Sequence, residues 1–80
     1  MKVNILAFGI AKEIFDGSSI NFELTDKSAV SDLKQSLEEK FPRLKQLSSF
    51  KIAVNNQFAS LDEIISETDE IAVIPPVSGG

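Results

Sequence analysis

Apolar positions follow two different periods along the chain. Val3 and Ile5 alternate with Lys2 and Asn4, which predicts a strand over Lys2 to Phe8. The alternation returns in Ile20, Phe22 and Leu24, set between Asn21 and Glu23, so residues 19–24 read as a second strand with one buried and one wet face. Between them Gly9 to Phe15 reads as a short helix ended by Asp16-Gly17, making the two strands a loose or helix-interrupted hairpin. From Ala29 to Phe41 the period lengthens, and Val30, Leu33, Leu37 and Phe41 fall on one helical stripe. Ser28 is the expected N-cap. Asp32 in the first turn and Lys40 in the last complement the helix dipole, and Pro42 stops the helix.

Phe50 to Val54 is a third strand. Asn55-Asn56 suits a two-residue turn, because Asn tolerates positive φ. Gln57 to Ala59 returns as a short strand. Leu61, Ile64 and Ile65 are expected as a helical turn that plugs the open end of the core. After a turn at Glu67-Thr68-Asp69, Glu70 to Ile74 is the last strand, with Ile71 and Val73 facing in; Pro75-Pro76 ends it, since neither proline can donate to a ladder. Two hairpins around one helix predict an α+β domain, a mixed sheet wrapped over one main helix in the manner of the ubiquitin-like β-grasp. The domain spans 1–74 and an extended tail spans 75–80. In such a sheet the first and last strands are neighbours. Leu6, Phe8 and Ile74 then form an exposed apolar patch, extended by Pro75 and Val77, unless Phe8 turns inward beneath Ile10 and Phe15.

Composition narrows the chemistry. The 80 residues include no His, Cys, Trp or Tyr. That removes the commonest general base, the thiol nucleophile and the usual transition-metal ligands, so no metal site and no catalytic side chain are expected. The adjacent acids Glu38-Glu39 and Asp62-Glu63 do not converge on a helix face and read as solvated. The net charge of −4 argues against nucleic acid as a partner. No apolar run is long enough to span a membrane and no secretory signal is evident, so a cytoplasmic protein is expected. After Lys51 the only charged side chains are Asp62, Glu63, Glu67, Asp69 and Glu70. The domain end that launches the tail is thus expected to be acidic, either to meet a basic partner or simply to keep the surface solvated.

The last six residues, Pro75-Pro76-Val77-Ser78-Gly79-Gly80, carry no charge but the terminal carboxylate. Fully extended they reach about 20 Å. The prolines limit the entropy lost when the tail threads a pocket, and Gly79-Gly80 lets a narrow channel admit the carboxylate. A carboxylate is a poor acyl donor until a partner converts it to an acyl adenylate, after which a sulfur nucleophile gives a thiocarboxylate.

These features resemble the sulfur-carrier small subunits of molybdopterin synthase. Glu70 through Gly80 resembles that family's ending, an acidic residue, a strand and Pro-Pro-Val-Thr/Ser-Gly-Gly. Phe8-Gly9-Ile10-Ala11-Lys12-Glu13 resembles its Phe-Ala-x-x-Arg-Glu segment, and Ala53-Val54-Asn55-Asn56 its Ala-Val-Asn turn. Gly9 and Lys12 depart from the usual Ala and Arg, and lysine cannot copy a forked arginine contact. The resemblance implies that Gly80 is adenylated by an enzyme similar to those that activate ubiquitin, which supplies ATP and Mg²⁺, while the carrier binds no cofactor. It implies next that the thiocarboxylate enters the large synthase subunit, where the catalytic residues reside, and donates sulfur to precursor Z. Ile74, Pro75, Pro76, Val77, Ser78 and Gly79, with Leu6 and Phe8, would contact partners. Rival readings are a sulfur carrier for another pathway such as thiamine, a ubiquitin-like modifier joined through Gly80 to lysines, and a plain interaction domain with an inert tail.

Overall fold

A computed structural model of the protein describes residues 1–47 and 50–76. Strand β1 is Lys2–Ala7, helix α1 Ile10–Phe15, β2 Ser19–Glu23, α2 Val30–Lys40, β3 Lys51–Val54, β4 Gln57–Phe58 and β5 Ile71–Ile74. The sheet order is β2-β1-β5-β3-β4. Among the described residues only β1 and β5 run parallel, and the other three pairings are antiparallel. This is the mixed sheet over one main helix that the two periods imply.

Alternation decides the two faces. Val3, Ile5 and Ala7 of β1, Phe22 of β2, Ile52 and Val54 of β3, and Ile71 and Val73 of β5 are all buried, together with Val30, Leu33 and Leu37 from α2. Burying each large side chain contributes about 1.5–3 kcal/mol, and truncating one such as Leu33 to Ala would cost about 2–5 kcal/mol. Phe41 follows the helix as its C-cap and is half-buried, with its ring centroid 4.7 Å from that of Phe15. It therefore joins α1 to α2. The chain then makes a short 3₁₀ turn over Pro42–Gln46 and buries Leu44 completely. Pro42 stands in the first turn, where its missing N–H has no cost.

Two sequence expectations need correction, and they share one cause. The N-cap of α2 is Ala29, not Ser28. Ser28 is buried, and its hydroxyl donates to the Thr25 carbonyl at 2.7 Å and lies 2.9 Å from the Thr25 hydroxyl. The turn before the helix has already engaged it. The Asp32 carboxylate instead accepts the Ala29 N–H at 2.9 Å. The exposed amides of the first turn are met by backbone: Val30 N–H donates to the Glu63 carbonyl and Ser31 N–H to the Leu61 carbonyl, both at 2.9 Å. Residues 61–65 are consequently not a helical turn. Their carbonyls serve α2, Ile64 forms an isolated antiparallel bridge with Ala29, and Ile65 N–H donates to Ser28. Only Ile65 is buried, whereas Leu61 and Ile64 stand exposed.

The turn between β3 and β4 is as expected. Asn55 and Asn56 both have positive φ, 54° and 69°, as a type I′ turn requires. Asn55 also clamps the approach to β5. Its Nδ2 donates to Asp69 at 3.0 Å, its Oδ1 accepts the Glu70 N–H at 2.9 Å, and its own N–H donates to the Glu70 carbonyl at 2.8 Å. Asn55→Asp keeps a residue that tolerates positive φ but sets an acceptor against the Asp69 carboxylate. It should destabilise the domain by about 1–2 kcal/mol in urea unfolding at neutral pH; unaltered stability would show the clamp to be energetically idle.

Candidate functional site

The outer face of the sheet carries a groove. Pairing sets Leu6 beside Ala72, Ala72 beside Ala53 and Ala53 beside Phe58, so one row crosses four strands. All four alternate with inward residues and therefore point away from α2. The two middle members are alanines. They form the floor, with Leu6 and Phe8 as one wall and Phe58 as the other, around a cavity of about 280 Å³. Ile74 closes the end toward the tail, and Asn56 and Glu70 the opposite end. Phe8 is 46% exposed and Phe58 66%, so Phe8 does not turn into the core. The Lys51 ammonium sits 5.1 Å from the centre of the Phe58 ring, a cation–π contact that also steadies this wall.

The acidic run lies elsewhere than expected. Glu67, Asp69 and Glu70 line a second depression that adjoins the groove through Leu6 and Glu70. They precede β5, whereas the tail leaves from its other end. The acids thus border the far rim of the groove and not the point of tail launch, because a four-residue strand separates the two. Lys51, opposite Ile74 in register, is the charged residue at the tail end of this row. Lys12 and Glu13 make no ion pair; among the described residues the ion pair present joins the Met1 ammonium to Asp26 at 3.4 Å. No group of three metal-ligating side chains converges among the described residues, and no described helix is long and apolar enough to cross a membrane.

The structure brings Leu6, Phe8 and Ile74 together as the alternation implies. Pro75, half-buried, and Pro76, exposed, continue from β5, while Val77, Ser78, Gly79 and Gly80 lie outside the described residues. Sequence reasoning overlooked Phe58 and the paired alanines. Their signal lies in cross-strand neighbours: Phe58 is opposite Ala53 across the β3–β4 turn, and Ala53 is opposite Ala72 of β5.

Comparison with known proteins bears on the family and the fold. The family model described as the ThiS family matches residues 5–80. A relative from Mycobacterium tuberculosis named molybdopterin synthase sulfur carrier subunit is 35% identical over 82 residues, covering 100% of this chain and 99% of its own length. A putative molybdopterin converting factor subunit 1 from Pyrococcus furiosus superposes with a TM-score of 0.86 at 24% identity, covering 96% of this chain and 99% of its own. A complex of subunits 1 and 2 of the molybdopterin-converting factor from Helicobacter pylori contains a chain of the same fold, with a TM-score of 0.68 at 26% identity and full coverage of both chains. The β-grasp sheet and the family match over residues 5–80 lead to one assignment: the chain belongs to the ThiS family.

Proposed function

We propose that this chain is the sulfur-carrier subunit of a molybdopterin synthase, with the Gly80 carboxylate as its working group. The observation that carries the reading is the apolar groove ending at Ile74, beside the point where the Pro-Pro-Val-Ser-Gly-Gly segment begins. A partner that covers the groove thereby receives the tail. The name of the Mycobacterium tuberculosis relative and the two-subunit complex from Helicobacter pylori support the pathway.

In the first step the Gly80 carboxylate oxygen attacks the α-phosphorus of ATP on an adenylating enzyme, and pyrophosphate leaves with Mg²⁺. Hydrosulfide, or its equivalent from a sulfur donor, then attacks the acyl carbon and AMP departs, leaving a thiocarboxylate. In the synthase large subunit the thiocarboxylate sulfur forms a carbon–sulfur bond with precursor Z in place of an oxygen, and water cleaves the acyl–sulfur bond to restore the Gly80 carboxylate. ATP, Mg²⁺ and the catalytic side chains belong to the partners, and the carrier binds no cofactor. Activation consumes ATP, in keeping with the cytoplasmic location that belongs to this reading. Leu6, Phe8, Ile74 and Phe58 dock; Pro75 to Gly79 guide the carboxylate.

Incubation with a cognate adenylating enzyme, ATP and a sulfur donor should raise the intact mass by the difference between one sulfur and one oxygen. Deletion of Gly80 should abolish the gain while leaving the melting curve unchanged. No mass change of the intact chain with a validated enzyme would sink the carrier reading, and isopeptide-linked ladders in its place would identify a modifier. Phe58→Asp and Phe8→Asp should each weaken binding to the large subunit at least about tenfold in calorimetric titration, because aromatic anchors dominate such interfaces. Both side chains are exposed, so thermal stability should hold; loss of folding would instead return Phe8 to the core.

A further inference from the structure

Gly9 marks the place where β1 leaves the sheet. Its backbone has φ 57° and ψ −133°, close to the first central position of a type II′ turn, and the Ala11 N–H closes that turn on the Phe8 carbonyl at 3.0 Å. In the parallel pairing Ala7 is level with Val73, which brings Gly9 abreast of Pro75 two residues on. Pro75 has no N–H with which to extend the ladder. Contact replaces the hydrogen bond: a Cβ built on Gly9 would lie 3.2 Å from Cγ of the Pro75 ring. The bare backbone of Gly9 is therefore a seat for the first residue of the tail.

We infer that Gly9 is a positioning residue for delivery of the Gly80 carboxylate, because its missing side chain and left-handed backbone let the Pro75 ring seat against the end of β1 and so set the direction in which the tail leaves the domain. The inference rests on the carrier reading and adds to it the element that aims the tail. The groove fixes the body of the domain on a partner but touches the chain only as far as Ile74. Beyond that residue, the Pro75 ring lies against the bare backbone of Gly9. A small change of angle there is multiplied along an extended tail, and a misplacement of about 1 Å at a reacting atom can cost about a hundredfold in rate.

A merely structural glycine would behave differently. If Gly9 served only to turn the chain into α1, an alanine there would lower stability through backbone strain and leave transfer by the folded protein untouched. The test uses the full chain with its adenylating enzyme, at a temperature where circular dichroism shows every variant folded. Gly9→Ala should reduce kcat for thiocarboxylation about tenfold and leave KM for the carrier within about twofold of the native value, since the groove is intact. Pro75→Ala removes the ring, and in that background Gly9→Ala should add less than about twofold to the loss. An equal loss from Gly9→Ala in both backgrounds, or native turnover by the folded single variant, would overturn the inference. Should Gly9→Ala fail to fold, the native chain still decides. Its nuclear Overhauser spectrum should join the Gly9 α-protons to the Pro75 γ-protons, and Pro75→Ala should itself lower kcat at constant KM. Absence of either result refutes the seat. A native chain that shows the Overhauser contact but is never loaded by a validated enzyme would fail the carrier reading and not the seat.

Discussion

The parallel pairing of β1 with β5 is the constraint on which the other features depend. It links residues 5–7 to residues 71–73, far apart in the chain, through three register pairs, Ile5–Ile71, Leu6–Ala72 and Ala7–Val73. Two of these pairs point inward and are almost wholly buried under α2. The third points outward and supplies a wall and part of the floor of the groove. A slip of one residue would exchange the faces, exposing Ile71 and Val73 and burying the trough. Core and groove are thus set by one register.

The helix depends on the same long-range closure. Its first turn is completed by carbonyls from Leu61 and Glu63 in a segment that belongs to the second half of the sequence. The Asn55 clamp holds that second half from its other side by fastening Asp69 and Glu70 just before β5 begins. Helix, turn and final strand are thus tied to one another by hydrogen bonds between distant parts of the chain.

Much of this was legible from period and turn chemistry. Strict alternation located the strands and their inward residues, and the Asn-Asn pair located the type I′ turn. What remained hidden depends on tertiary hydrogen bonding or on cross-strand neighbours. Ser28 has the residue type of a cap, but a turn that begins at Thr25 claims its hydroxyl. Leu61, Ile64 and Ile65 have helical spacing, yet their backbone is committed to another helix. Leu44 lies beyond a proline that seemed to end the pattern, and a single apolar residue carries no period. Of the site, Leu6, Phe8 and Ile74 followed from alternation. Phe58 and the Ala53–Ala72 floor required knowing which strands lie side by side, and the acidic rim required knowing which end of β5 faces the tail. Gly9 was visible as a residue, but its use depends on the level of Pro75 in the neighbouring strand.

The position of β5 within the sheet has a mechanical side. The strand that continues into the tail is bonded on both flanks, parallel to β1 and antiparallel to β3. Tension applied through the C-terminus would load both ladders along their length. The hydrogen bonds are then sheared together and are not peeled one at a time as they would be from a sheet edge. Load along the axis of β5 is thus shared between two ladders.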